Sequence, residues 1–364
     1  MSLIILHVAD IKVDPFSGMG RIVYFWKKAF EEAGHTFYHI GREEVPCNHP
    51  SEFLGGAMRY YKLHYRHKKP DVILAHEPVS GKFIETKIPV VLFSHGIEQR
   101  EWNLRNTKYQ KFHDPVRLKS KLLFPIWRLK NCNRGLKKSI LLLLSNSEDQ
   151  QYAIQRYNRK KEDIVIFRNG VKKDFLNVEN RLNSNLKACT IGFSATWIRR
   201  KGTDLIVEAA KRLQAQNIEV KWLLFGTVFT EEEVKKDFPK EIHPNIDVIP
   251  KFNTTEEKSL FQQLDLFILP SFFEGQSLAL LQAMGAGLCS IASDCCAQID
   301  LIQHKENGLL FKTGNASDLL EQIKFAVNNP DLRKKLGENA AKSVEDRDWS
   351  AVSEEVVKHI EKIA

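Results

Sequence analysis

The 364-residue sequence predicts an α/β protein built from two similar open-sheet domains. Three observations predict it. Short apolar runs rich in β-branched residues alternate with amphipathic helical stretches along the whole chain. The alternation ends once, at Asn169-Gly170, and restarts near residue 187, so two arrays joined near 175–187 are expected. The composition, 43% hydrophobic and 27% charged, suits a globular chain long enough for two cores.

The elements follow in order. Leu3–Val8 reads as a buried first strand, so the start MSLIILHVAD carries a strand and none of the basic flank or cleavage pattern of a signal peptide. A glycine-containing loop, DPFSGMGR at 14–21, leads into a helix from Ile22 to Ala33, closed by Gly34. His35–Ile40, Asp71–Ala75, Val90–Ser94 and Ile140–Leu144 are further strands. Ser147 with Gln150 suggests a capping box opening a helix. Val165–Phe167 is a last strand before the Asn169-Gly170 turn. In the second array Ala188–Phe193, Val220–Phe225, Ile246–Ile249, Leu266–Leu269, Leu288–Ala292 and Gly308–Phe311 read as strands. Asp204–Gln214 and Ser277–Ala286 are helices between them. Thr230 with Glu233, and Thr254 with Glu257, suggest two more capping boxes. Helices over 317–327, 331–343 and 349–362 close the chain. In open sheets of this kind ligands bind at the carboxyl ends of the strands, which makes an interdomain cleft the expected site.

No apolar run approaches the ~20 residues that cross a bilayer; SILLLLS at 139–145 is only strand length. The six cysteines, Cys47, Cys132, Cys189, Cys289, Cys295 and Cys296, have neither zinc spacing nor disulfide-framework density, which points to a reduced, cytoplasmic setting. Charge is unevenly shared. Residues 1–180 hold 31 Lys and Arg against 19 Asp and Glu, whereas the remainder holds 23 against 26. The most basic segment, 103–138, has eleven basic residues and one acid, Asp114. Leu118, Leu122, Leu123, Ile126 and Leu129 interleave there with Arg117, Lys119, Lys121, Arg128 and Lys130. That pattern suits a peripheral anionic membrane surface, or a helical hairpin packed on its own domain and interrupted at Pro125. The chain carries no recognised nucleic-acid reading module, so no nucleic-acid partner is expected.

The stretch EGQSLALLQAMGAG, 274–287, concentrates the chemistry. Pro270 ends an apolar strand, and a loop through Glu274, Gly275 and Gln276 opens a helix at Ser277. Leu278, Leu281 and Met284 take helical core spacing. Gly275 and the helix start offer backbone N–H groups to a phosphate or to sugar hydroxyls, and Gln282 stands two turns beyond Glu274. The same residues also fit a plain turn, a capped helix and a solvated acid.

This stretch resembles the retaining glycosyltransferases of family 4, of the kind that builds bacterial cell-surface polysaccharides or glycolipids. Their pattern is P-S, then E-G, then a second Glu eight residues after the first within E-A-M-A-x-G. Here the matching residues are Pro270-Ser271, Glu274-Gly275 and Gln282-Ala283-Met284-Gly285-Ala286-Gly287. Further likenesses are WIRRKGTD at 197–204, Leu223–Gly226, Ser145–Asp149, Arg168-Asn169-Gly170-Val171, Asn307-Gly308-Leu309-Leu310, and Trp349 with the last helix.

The resemblance implies the GT-B fold, two Rossmann-like domains facing across a cleft. Residues 1–180, completed by helix 349–364, would bind acceptor, and 181–348 would bind a nucleotide sugar. It implies a hexosyltransferase-like reaction with no metal or cofactor, in which a nucleoside-diphosphate sugar passes its sugar to a saccharide or lipid-linked saccharide. Two alternatives are a soluble small-molecule acceptor and a non-catalytic sugar-nucleotide-binding protein.

By the same resemblance Lys201 binds the donor pyrophosphate, with Arg199 or Arg200 replacing an arginine that this chain lacks at Gly192-Phe193. Glu274 faces the donor sugar. Gly275, Gln276 and Ser277 shape its pocket, and Gln282 takes the ribose-binding position of the second Glu. In the first domain Gly18, Gly20 and Arg21 lie near the phosphates or acceptor, although Arg21 equally suits the start of a surface helix. His95 lies beside the donor sugar, and Glu98, Arg100 and Glu101 shape the acceptor pocket. His76-Glu77 is a weaker candidate of the same sort.

Overall fold

The structure, a computed structural model, describes residues 2–106, 110, 118–176 and 188–364. The expected junction at 180–181, most of the joining segment 175–187, and residues 107–109 and 111–117 of the basic segment lie outside them. Of the described residues, 2–106, 118–170 and 349–364 form one compact unit, and 171–176 with 188–348 form the other.

The first unit holds six parallel strands: β1 (Ile4–Val8), β2 (Thr36–Ile40), β3 (Val72–His76), β4 (Val90–Phe93), β5 (Leu141–Leu144) and β6 (Ile164–Ile166). Their spatial order is β2-β1-β3-β4-β5-β6. β3, β4 and β5 are buried at every position, as continuous apolar runs in a sheet covered on both faces must be. The second unit repeats the plan with β7 (Cys189–Ser194), β8 (Val220–Phe225), β9 (Ile246–Ile249), β10 (Leu266–Leu269), β11 (Cys289–Ser293) and β12 (Leu309–Phe311). Its order, β9-β8-β7-β10-β11-β12, is the doubly wound Rossmann arrangement. The two open-sheet domains predicted from the alternation are therefore present, and both are Rossmann-like, as the family resemblance implies.

The topology selects where ligands bind. In each sheet the winding reverses once, between β1 and β3 in the first and between β7 and β10 in the second. The loops leaving the carboxyl ends of those strands flank a crevice, which is the ligand position of open α/β sheets.

Four local differences from the sequence reading matter. The first helix begins at Gly18, not Ile22, so the glycine residues are its first turn. Asn146, not Ser147, caps helix Ser147–Tyr157, its side chain accepting from the Asp149 N–H. An N-cap asparagine satisfies an orphan N–H better than the Ser147–Gln150 pairing, one register later, would. Glu257 is no capping residue: it lies inside helix Glu257–Gln262, buried. The Thr230–Glu233 capping box is present. The helix Pro50–His64 went unread, because its buried Phe53, Leu54, Ala57, Met58 and Tyr61 are diluted by Gly55-Gly56 and polar residues. The last helix, Trp349–Glu361, packs on the first unit. Trp349 stacks on Phe25 at 4.7 Å between ring centroids, and Arg168 grips Glu355.

Candidate functional site

In the second unit the chain leaves β7 through Trp197 and enters a tight turn, Arg199–Lys201. Gly202 follows at φ +79°, and a Cβ there would lie 2.1 Å from the Pro270 carbonyl oxygen. Only glycine lets this turn approach the end of β10 so closely. The approach brings Lys201 to Glu274, 73 residues apart in sequence, with Nζ 2.5 Å from Oε1. Ser271 Oγ donates to the same Oε1 at 2.9 Å. Glu274 is buried, 7% exposed. Burial pushes its carboxyl up, but the charges of Lys201 and Arg200 and the bonds from Lys201 and Ser271 outweigh this and hold it below the ordinary carboxylate value. Glu274 is thus a preorganised carboxylate with cations around it.

The geometry separates the two arginines. Arg199 lies half-exposed and is paired with Asp204, Nε to Oδ2 at 2.8 Å. Arg200 donates to the Phe273 carbonyl at 3.1 Å and supports the Glu274 charge. Arg200 is the arginine at the Glu274 loop.

The helix after the loop starts where expected. Ser277 is its N-cap, its Oγ accepting from the Leu280 N–H, so the hydroxyl serves the helix. Gln276 is buried and accepts from Arg347 Nη1 at 3.3 Å. Gly275 is half-buried and does not take a left-handed conformation. Gln282 is buried and donates through Nε2 to Glu257 Oε1 at 2.8 Å, while Lys172 Nζ lies 2.6 Å from Glu257 Oε2. Sequence reasoning missed Glu257, taking it for a cap of Thr254. A glutamine answers this neighbour well, since a second carboxylate at 282 would meet Glu257 as a like charge.

In the first unit the loop after β1 is wound on Asp14, which accepts from the N–H groups of Phe16 and Ser17 at 2.7 Å each. Arg21 is buried, and its guanidinium donates to the carbonyls of Pro15 and Phe16. It braces the loop from within. Gly18 has open space where a Cβ would be, whereas at Gly20 a Cβ would lie 2.4 Å from the Lys12 carbonyl oxygen.

Around the reversal between β1 and β3 lies a histidine cluster. His39 Nε2 sits 3.4 Å from the Ile11 carbonyl, which can only accept. With neutral rings this sets the order: His7 Nδ1 donates to His39 Nδ1 at 2.8 Å, and His76 Nε2 donates to His7 Nε2 at 3.1 Å. Burial lowers all three below the ordinary histidine value. His95 packs against Phe93 and His76, burial lowers it to about 4, and its Nε2 is buried without a partner among the described residues.

Glu77, just past the end of β3, accepts on Oε2 from Ser94 Oγ at 2.7 Å, and its Oε1 is buried without a partner among the described residues. Burial, with the neighbouring Glu98 charge, raises its carboxyl to about 8. Glu98 itself is held by Arg128, with Nη2 at 2.7 Å from Oε1. Arg100 is mostly buried and clamps Glu148 and Asp149. Glu101 lies half-buried in the same helix. Glu98 and Arg100 are therefore engaged within their own unit. Among the described residues no group of three or more His, Cys, Asp or Glu is arranged to hold a metal ion.

Comparison with known proteins supports the architecture. Residues 174–343 match the family described as glycosyl transferases group 1. The chain is 25% identical over 228 residues to an uncharacterized glycosyltransferase of Methanocaldococcus jannaschii, covering 61% of each, so it spans less than two thirds of that relative. It superposes on the solved structure of WaaG, a glycosyltransferase involved in lipopolysaccharide biosynthesis, with a TM-score of 0.78 at 17% identity, over 98% of this chain and 99% of that one. It superposes likewise on Anabaena HepE in complex with UDP-glucose, with a TM-score of 0.70 at 15% identity, over 99% and 100%. The chain has the GT-B fold of glycosyltransferases, and its second unit carries the similarity to glycosyl transferases group 1.

Proposed function

We propose that the chain is a retaining glycosyltransferase that moves a sugar from a nucleoside-diphosphate sugar to a hydroxyl of a saccharide or lipid-linked saccharide. The observation that carries this reading is the buried Lys201–Glu274 pair, with Arg200 beside it, at the carboxyl ends of β7 and β10.

Lys201 and Arg200 would meet the diphosphate, whose negative charge grows as it leaves. Because these residues supply positive charge, the reaction is read as metal-independent. Glu274 would stabilise the positive charge that develops on the sugar. The bond from the sugar's anomeric carbon to phosphate breaks with its electron pair going to the diphosphate. The acceptor oxygen bonds to the same face of that carbon, and the acceptor proton passes to a diphosphate oxygen. In the first unit the unpartnered His95 Nε2 suits a sugar hydroxyl, and the first turn from Gly18 to Gly20 offers backbone N–H groups. Gln276, Ser277 and Gln282 would line the donor side through backbone and amide groups. WaaG is involved in lipopolysaccharide biosynthesis, which supports a surface-saccharide acceptor, and HepE was solved with UDP-glucose, which supports a nucleotide-sugar donor. A cytoplasmic enzyme peripheral to the membrane fits the exposed Lys121, Leu122, Leu123, Ile126 and Lys130.

The test is a thermal-shift series with UDP, GDP, ADP and CMP and their common sugar conjugates, followed by donor hydrolysis. One diphosphate and its sugar form should stabilise the protein selectively, and Lys201→Ala should weaken that binding about tenfold or more. A panel without any shift would overturn the reading.

A further inference from the structure

The turn after β8 carries an unusual residue. Val228 has φ +67°, the left-handed region that a β-branched side chain strongly avoids. The conformation is imposed from both sides. The Gly226 and Val228 N–H groups donate to the carbonyls of Ile249 and Pro250, at 2.8 and 3.0 Å. On the other side the Trp197 N–H donates to the Thr227 carbonyl at 2.9 Å, and Thr227 Oγ1 donates to Phe229 O at 2.8 Å. Thr227 is fully buried and anchors the turn.

The strained side chain returns little to the fold. Val228 is 56% exposed and its neighbour Phe229 is 39% exposed, so both present apolar surface to solvent. Glycine would satisfy the same backbone without strain. Strain held in place by its surroundings marks a functional position, and this turn leaves the carboxyl end of β8, next to β7. The Trp197–Thr227 bond ties it to the segment that carries Lys201, four residues on.

We propose that Val228, with Phe229 beside it, is a specificity-determining contact of the donor site, offering an apolar platform to a flat C–H or ring face of the bound nucleotide sugar. This rests on the donor-site reading above. Two parts of such a ligand have that chemistry, the nucleobase and the pyranose.

Binding of UDP, GDP, ADP and CDP and of their glucose or mannose conjugates would be measured by calorimetry in Val228→Gly, Val228→Ala and Lys201→Ala. Val228→Gly should melt at a higher temperature than the wild type and bind the preferred nucleotide sugar at least about fivefold more weakly. Val228→Ala, which keeps the restricted backbone, should lose affinity too. Equal losses for diphosphate and sugar conjugate assign the platform to the base; a loss confined to the conjugate assigns it to the sugar. Wild-type affinity in Val228→Ala, with binding lost in Lys201→Ala, would overturn the platform and leave the donor site standing. Wild-type affinity in Lys201→Ala, or no binding by the wild type, would overturn the donor site and the platform with it.

Discussion

Lys201 and Glu274 neutralise each other before any ligand arrives. Two opposite charges at 2.5 Å in a site 17% and 9% exposed satisfy one another well. On the proposed donor reading, a diphosphate would compete with Glu274 for the ammonium, and the carboxylate would be released toward the sugar as the cation turned to phosphate. The pair would thus couple donor arrival to the exposure of the stabilising charge. Glu274→Gln separates the two functions. It keeps the shape and the Ser271 contact, but no longer holds Lys201 by charge. Diphosphate binding should be at least as tight as in the wild type, while donor turnover falls about a hundredfold, the scale of losing one electrostatic stabiliser of a transition state. Binding and single-turnover rates on the same variant measure both. Intact turnover would mean that Glu274 does not stabilise the reacting sugar.

At the scale of the element, the strands were legible because β4, β5 and β10 are apolar runs of strand length bounded by turn residues, and β8 departs from that pattern only at its exposed Lys221. Short helices were not. Glu98–Asn106 has no buried residue and so no periodic stripe to read. Glu274 was legible in its strand–glycine loop–helix setting, but Lys201 was singled out through family resemblance; their contact is long-range, and no local pattern encodes it. Glu257 shows the converse error, a residue whose spacing from Thr254 imitates a cap while its side chain turns inward to Gln282 and Lys172. The choice between Arg199 and Arg200 needed coordinates, because adjacent residues in one turn differ only in direction. What joins these elements is Gly202. Gly202→Ala would force a left-handed alanine into the Pro270 carbonyl. The turn must then withdraw from β10 and carry Lys201 away from Glu274. We expect a loss of about 2 kcal/mol or more in stability, read by urea denaturation, together with weakened nucleotide binding. A variant that unfolds like the wild type would show that the turn relaxes freely and is not the device that places Lys201.

For the whole molecule, the excess of positive charge, +9 in all, falls on residues 1–180, and the structure shows which part of it is spent internally. In the basic segment Arg128 is held by Glu98 and Arg134 pairs with Glu85. Lys121 and Lys130 remain exposed, beside Leu122 at 64%, Leu123 at 56% and Ile126 at 65% exposure. Helix Leu118–Phe124, the wide turn Pro125–Leu129 and the start of helix Lys130–Lys138 place these side chains on solvent, and Leu129 alone of the apolar residues in that turn is buried. An apolar patch flanked by lysines is the composition of a surface that lies on anionic lipid, and among the described residues no helix is long and apolar enough to cross a membrane. An enzyme acting on a lipid-linked acceptor gains from this, because the substrate is then found by diffusion in two dimensions. The protein should sediment with phosphatidylglycerol vesicles and not with phosphatidylcholine vesicles. Lys121→Glu with Lys130→Glu should lower the partition about tenfold or more, at about 1 kcal/mol for each basic residue near the surface. Leu122→Ser with Leu123→Ser should lower it independently of salt. Both variants should keep the wild-type thermal shift with nucleotide, since neither touches the Lys201–Glu274 loop. Binding that survives charge reversal would assign the patch to some other contact and return the acceptor to the soluble class.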